Sequence, residues 1–152
     1  MSRVAASFDD FVVGQTFDSA PYTMELARMV AFATDFDPQP AHLSEALAAD
    51  SQFGRLVASG WHTSAVAMRL LISDALPPIL GGGMGAGVER LMWPRPVYPG
   101  DVLRVRAEVT GARASRSKPD KGLVNMHVDM TNAAGQTVLT MDTTVMVPRL
   151  IA

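Results

Sequence analysis

The sequence of 152 residues contains no cysteine. This absence excludes disulfides, thiolate catalysis and cysteine-ligated metals. A chain without disulfides is compatible with the cytoplasm, where we expect this protein to act. The first 11 residues lack the apolar core of a signal peptide, and no apolar run is long enough to span a bilayer. We therefore predict no membrane association.

Charge is also scarce, since Asp, Glu, Lys and Arg make up 18% of the residues and the net charge is −2. No long basic run is present, which argues against nucleic acid or an anionic membrane as the main partner. Hydrophobic residues make up 48% of the chain, enough for a packed core. The length predicts one domain covering residues 1–152.

Motifs for metals, phosphates and serine nucleophiles are missing as well. The three histidines do not occur at metal-ligand spacing with carboxylates, so we predict no metal. The glycine-rich segment 81–87 lacks the Lys-Ser/Thr ending of a phosphate loop. No Gly-x-Ser-x-Gly nucleophile elbow occurs.

The chain changes character near its middle, from helical spacing up to Leu76 to strand-like alternation from Val88. We predict that Thr23 caps a helix over 24–35 and that Ser44 caps a helix over 45–50. The longest predicted helix covers 60–76. Its apolar residues occupy most of its circumference, which predicts that it is buried nearly all round.

The second half predicts an antiparallel sheet of about five strands, counting a short first strand that ends near Tyr22. The other strands are predicted near residues 88–93, 102–109, 123–131 and 136–148. One buried helix with such a sheet makes an α+β domain in which the sheet curves around the helix. Because a single sheet leaves an open edge and an uncovered helix flank, we expect a homodimer.

Asp37 and His42 are the first candidates for chemistry, five residues apart across Pro38 and Pro40. Prolines favour a turn that can bring both side chains to one side. A carboxylate beside a histidine is the usual pair for general acid–base catalysis. The alternative is that Asp37 is an ordinary turn residue and His42 an ordinary surface residue.

The start of the longest predicted helix is the second candidate. Free N–H groups at a helix N-terminus bind anions, and Gly60 would let a ligand oxygen approach the backbone. The alternative is that Gly60 only relieves crowding where the helix enters the core. His62 follows in the first turn, where a histidine is more often a packing residue than a catalyst, and His127 is predicted to face solvent.

A basic loop over 113–122 is the third candidate. The loop is either solvated or a clamp for the phosphates of a long ligand. It carries four cationic side chains: Arg113, Arg116, Lys118 and Lys121.

The motifs resemble those of the MaoC-like dehydratase family. The family motif Asp-x-Asn-Pro-[Ile/Leu]-His stands here as Asp37-Pro38-Gln39-Pro40-Ala41-His42, with Gln39 in place of asparagine. A second, glycine-containing motif matches residues 53–61, with Gly60 at the family's oxyanion-hole glycine and Ser59 in place of its usual histidine. The family's Pro-Val-x-x-Gly-Asp segment matches residues 96–101.

The resemblance implies a hotdog fold and reversible hydration of trans-2-enoyl-CoA to (R)-3-hydroxyacyl-CoA. It implies no metal or redox cofactor, because coenzyme A enters as part of the substrate. Asp37, His42 and Gly60 would be catalytic. The expected substrate-binding residues are Gln39, Ser59, Trp61, His62 and the four cations of the basic loop. The alternatives are a hotdog acyl-CoA thioesterase, or a non-catalytic protein that binds acyl-CoA or lipid.

Overall fold

The computed structural model describes residues 4–150. Its centre is the helix α4, over Gly60–Leu70, which continues through one wider turn over Leu71–Ala75. Three shorter helices precede it: α1 over Leu26–Phe36, α2 over Pro40–Leu43 and α3 over Glu45–Ala48.

Six antiparallel strands form the sheet beside this helix. They are β1 (Thr16–Asp18), β2 (Tyr22–Thr23), β3 (Met84–Met92), β4 (Val102–Ala114), β5 (Lys121–Thr131) and β6 (Thr137–Pro148). The strand order is β1-β4-β5-β6-β3, and β2 also pairs with β4. This α+β arrangement, with a sheet around one helix, is the hotdog architecture that the sequence predicts.

The core lies between α4 and the inner face of the sheet. Alternate residues of β4 and β5 are fully buried, as the alternating sequence pattern predicts. The inner face presents Val105, Ala107, Val109, Val124, Met126, Val128 and Met130, and α4 contributes Val66, Ala67 and Leu70.

The prediction that the central helix is buried nearly all round is wrong for the single chain. Trp61, Met68 and Ile72 are respectively 60%, 44% and 55% exposed. The reason is geometric, because the curved sheet covers one side of the helix and leaves the flank beside β3 open. β3 is exposed along nearly its whole length and ends the sheet.

Several predicted boundaries also differ. The first strand is two short strands, and Thr23 lies in β2 while Glu25 occupies the N-cap of α1. The glycine-rich segment 81–87 is partly strand, since β3 begins at Met84 and not near residue 88 as predicted. Ser44 caps α3 as predicted, with its hydroxyl accepting from the Leu47 N–H. No helix within residues 4–150 has both the length and the apolar character needed to cross a membrane.

Candidate active site

Asp37 lies at the C-terminal end of α1, where its own N–H still donates to the Ala33 carbonyl. Its Oδ2 accepts from the Ser59 hydroxyl at 2.6 Å, and its Oδ1 accepts from the Gln39 amide at 2.8 Å. Hydrogen bonds to a carboxylate stabilise its charged form. They hold the pKa of Asp37 below its ordinary value, Ser59 contributing most and Gln39 next, while burial opposes them and His42 adds a smaller lowering effect.

His42 lies in the single turn of α2, which begins at Pro40 and so tolerates the missing backbone donor. Its Nδ1 is 2.8 Å from the Val57 carbonyl oxygen. Because a carbonyl oxygen can only accept, Nδ1 carries the proton, and Nε2 of the neutral ring presents a lone pair. Nε2 lies 3.5 Å from Asp37 Oδ2, and both side chains are largely buried.

Gly60 is the first residue of α4, and its backbone is closely covered by an indole ring. A Cβ added at Gly60 would lie 2.7 Å from Cδ2 of Trp93 and 2.8 Å from its Cε2. The ring is held by its Nε1–H, which donates to Ser64 Oγ at 3.1 Å, and the Ser64 hydroxyl donates to the Gly60 carbonyl. No hydrogen bond among residues 4–150 uses the Gly60 N–H.

These groups border one pocket of about 500 Å³. Asp37, His42 and Gly60 therefore share a cavity, as the paired motifs predict. The remaining wall is mostly apolar, with one charged residue, Arg95, and the polar side chains of Gln39 and Thr63. The lining is completed by Phe53, Val57, Ala58, Trp61, Trp93, Pro94, Pro96 and Val138.

Of the substrate-binding residues predicted in or next to the two motif segments, Ser59 and His62 are not in this lining. Ser59 is 1% exposed, so its hydroxyl is turned to the protein and not to the pocket. His62 is buried and stacks on Phe32 of α1, with ring centroids 4.7 Å apart. Burial lowers the pKa of His62, and the charge of Arg28 lowers it further. His62 thus lies in the surroundings of a packing residue, the role that the sequence favours for a histidine in this position.

The four cations of the basic loop lie far from the pocket within one chain. The turn itself covers only 115–120, since Arg113 belongs to β4 and Lys121 to β5. The far end of β5 is Thr131, which pairs with Thr137 beside the pocket residue Val138. Ten residue steps at about 3.3 Å place the turn about 33 Å from that end.

Arg95 is a pocket residue that the motifs did not select. Its guanidinium donates to the Thr137 carbonyl at 3.1 Å, which fixes the side chain at this end of the sheet. No carboxylate lies within 4 Å of it among the ion pairs of residues 4–150, unlike Arg106, which pairs with Asp18. The sequence feature that could have indicated Arg95 is its position directly before the Pro-Val-x-x-Gly-Asp segment.

A second histidine–carboxylate pair lies outside the pocket, across β5 and β6. His127 Nδ1 is 2.6 Å from Asp142 Oδ1, and its Nε2 is 3.4 Å from Asp129 Oδ2. The hydrogen bond to Asp142 is the main reason that the pKa of His127 is raised, with Asp129 adding to it and burial opposing it. Among residues 4–150, no three or more carboxylate and imidazole groups are placed to hold a metal ion.

Comparison with known proteins gives consistent matches. Residues 10–137 match the model of the family described as MaoC like domain. A MaoC-like dehydratase from Rhodospirillum rubrum has a similar structure, with 43% identity and a TM-score of 0.90, covering 97% of this chain and 100% of that one. An (R)-hydratase from A. caviae involved in PHA biosynthesis is 27% identical with a TM-score of 0.74, covering 91% and 98%. The uncharacterized protein YdeM of Bacillus subtilis is 31% identical over 72% of this chain and 77% of its own.

Proposed function

Because the chain belongs to the MaoC-like domain family, we propose that it adds water reversibly to trans-2-enoyl-CoA thioesters, giving (R)-3-hydroxyacyl-CoA. The family match and the likeness to an (R)-hydratase support a hydratase or dehydratase role. The observation that carries the proposal is the pairing of His42 Nε2 with Asp37 Oδ2, 3.5 Å apart in the pocket that Gly60 also lines. At that separation one water can contact both atoms at ordinary hydrogen-bond distances.

We assign the two partners different roles. Asp37 has a lowered pKa and two donors on its carboxylate, so it stays ionised and orients the water. His42 has its Nδ1 proton committed to Val57, so Nε2 is the proton acceptor. As the water oxygen bonds to the β-carbon, its proton moves to Nε2. The α-carbon then takes a proton from the imidazolium on the same face, so that one water is consumed and neutral His42 is restored.

The thioester carbonyl belongs beside Gly60 in this scheme. Electron density moves onto its oxygen as the β-carbon is attacked, and a backbone donor placed there stabilises the enolate-like transition state. Gly60 N–H has no partner within residues 4–150, and it lies at the N-terminus of an 11-residue helix. The reaction requires no resident metal or redox cofactor, since coenzyme A is carried by the substrate.

We also propose that the active form is a homodimer. The outer edge of β3 offers unpaired backbone groups to a second copy, and Met84, Val88 and Met92 on it are each about half exposed. The uncovered flank of α4, with Met68 and Ile72, lies on the same side of the core. Pairing of two β3 edges would continue the sheet and cover both surfaces.

Incubation with crotonyl-CoA tests the reaction when enoyl-thioester absorbance and free thiol are followed together. Hydration removes the absorbance and releases no thiol, and chiral analysis of the product should give the (R) isomer. Asp37→Asn and His42→Ala should each lower kcat by at least about 100-fold, the usual effect of losing a general acid–base group. His127→Gln is the matched control, because it breaks a histidine–aspartate pair outside the pocket.

The same assay separates the other two possibilities. A thioesterase would release thiol, but α4 carries no Asp or Glu, and Asp74 lies in the turn after it. A non-catalytic protein would leave both signals unchanged. Full activity of either pocket variant on every substrate that the wild type accepts would show that the pair is not the catalytic site.

A further inference from the structure

We infer that Ser59 is a positioning residue, which holds the Asp37 carboxylate ionised and in register with the helix that carries Gly60. The inference deepens the proposed function and rests on it for its kinetic consequences. It replaces the substrate contact that the sequence suggests for Ser59. The hydrogen-bonding capacity and burial of the side chain are the observations that carry it.

The Ser59 hydroxyl has one proton, and the structure shows where it goes. Oγ lies 2.6 Å from Asp37 Oδ2, which can only accept, so the proton is donated to the carboxylate. A donor–acceptor distance this short is typical of a hydroxyl bound to an ionised group. The residue is 1% exposed. A substrate entering the pocket therefore has neither an accessible oxygen nor a free proton to contact at Ser59.

The same oxygen also fixes the start of α4. Ser59 is the N-cap of this helix, and Oγ accepts from the Trp61 N–H at 3.2 Å. One atom thus joins the carboxylate at the end of α1 to the first turn of α4, where Gly60 lies. The two halves of the site are 22 residues apart in sequence, and this contact sets the position of one against the other.

Of the two donors to Asp37, Ser59 is the one shielded from water. Gln39 donates to Oδ1 from an exposed position, where water can replace its amide. Oδ2, by contrast, is the atom that also faces His42 Nε2. The Ser59 hydroxyl leaves the second lone pair of Oδ2 for the water between the pair, so it sets the direction in which Asp37 holds that water.

Ser59→Ala tests the inference with two measurements. The kinetic expectation is a fall in kcat of about tenfold or more with KM nearly unchanged, because the lost bond is a charge-assisted one that orients a catalytic group. Carbon NMR titration of the Asp37 carboxyl should show its pKa higher in Ser59→Ala than in the wild type. Ser59→Thr, which keeps the hydroxyl, should restore both readouts wherever circular dichroism shows it folded.

Ser44→Ala is the matched control for losing a helix cap. The Ser44 hydroxyl accepts from the Leu47 N–H at 3.2 Å, as Ser59 does from Trp61, but it makes no contact with Asp37. This variant should lower the melting temperature and leave kcat and the Asp37 titration as they are. In an Asp37→Asn background, Ser59→Ala should have no further effect on kcat, since the bond to a carboxylate is already gone.

The outcomes separate the two proposals. A raised KM with unchanged kcat in Ser59→Ala would mean that Ser59 binds substrate, and unchanged kcat with an unchanged Asp37 titration would overturn the inference. If the wild type hydrates no enoyl thioester, the proposed function fails. The NMR titration then still decides on its own whether Ser59 sets the ionisation of Asp37.

Discussion

Replacing Gly60 by alanine should abolish most activity while leaving the fold intact. The new Cβ would lie 2.7 Å from Trp93 Cδ2, whereas ordinary van der Waals contact begins at 3.4 Å, so the indole and the helix start must separate by at least about 0.7 Å. The indole cannot move freely, because its Nε1–H is bound to Ser64. Either the ring loses that hydrogen bond or the Gly60 N–H shifts in the pocket.

The magnitudes indicate that activity suffers more than stability. Alanine favours a helix over glycine by up to about 1 kcal/mol, which offsets the loss of one hydrogen bond worth about 0.5–1.5 kcal/mol. The free energy of unfolding should therefore change by about 1 kcal/mol or less. Displacement of an oxyanion donor costs about 100- to 1000-fold in kcat, and we expect Gly60→Ala to fall in this range.

The assay is hydration of crotonyl-CoA together with urea unfolding of each variant. Trp93→Ala removes the clashing ring, so the double variant Gly60→Ala/Trp93→Ala should be more active than Gly60→Ala alone. Gly85→Ala is the glycine control, because a Cβ there meets no atom of the same chain within 4 Å. Since Gly85 lies in β3, light scattering must show that the control keeps the wild-type oligomeric state. Wild-type turnover in Gly60→Ala would refute the placement of the thioester carbonyl, and a double variant no better than Gly60→Ala would refute the steric cause.

Four further predictions rest on charge and exposure. Arg95→Gln should raise KM for crotonyl-CoA several-fold with little change in kcat, since an exposed cation at the pocket would bind the phosphates equally in the ground and transition states. With crotonyl-pantetheine, which lacks the nucleotide, KM should not change. An equal rise in KM for both substrates would mean that the substitution acts through the structure. Because the pKa of His127 is raised in the folded state, its contribution to stability is complete below about pH 6.5 and is lost as pH rises through the folded pKa. His127→Gln should therefore destabilise the protein more at pH 5.5 than at pH 9, by at most about 1 kcal/mol because the pair is more than a third exposed. A loss of unfolding free energy that does not depend on pH, measured by urea unfolding, would contradict this. Val88→Asp on the exposed β3 edge should shift the protein toward a monomer by light scattering, with Glu89→Asp as the neighbouring control, and an unchanged dimer would place the interface elsewhere. The same kinetic test applies to the four cations of the basic loop: Arg113, Arg116, Lys118 and Lys121. Neutralising them together should raise KM for crotonyl-CoA several-fold with kcat unchanged if they contact the phosphates. Unchanged KM would show that the loop is only solvated.

The strands and the central helix could be predicted because their signals are local. Period-2 alternation in β4 and β5 follows directly from the direction of successive side chains, and the structure buries the predicted faces. The exposure of Met68 and Ile72 could not be predicted in the same way. An apolar residue gives the same sequence pattern whether it would be covered by the sheet of its own chain or by a second copy. The helix pattern therefore does not distinguish burial within one chain from burial against a second copy.

The site was predictable where its residues are close in sequence. Asp37 and His42 are separated by a proline turn that can bring both side chains to one side, and their nearest atoms are 3.5 Å apart. The spacing alone left open whether they form a site, and the motif resemblance favoured it. Ser59 and Arg95 reach the site through tertiary contacts with Asp37 and Thr137, over 22 and 42 residues. Neither contact has a periodic signal, so the sequence marked Ser59 only by its motif and passed over Arg95.

The position of the pocket decides where a long ligand must extend. Catalytic groups and Arg95 lie at the end of the sheet where Thr131 meets Thr137, and the basic turn lies about 33 Å away along β5. In a dimer joined through antiparallel β3 edges, the partner's turn over 115–120 would lie toward the catalytic end of this chain. Its strand β5 would be two strands away from the partner's β3. In such a dimer the cations of one chain can contact phosphates only at the other chain's pocket, whereas Arg95 lines the pocket of its own chain. A heterodimer of a wild-type chain and a chain that carries His42→Ala together with the neutral turn separates these two routes, because its one working site keeps its own Arg95 and has lost only the partner's turn.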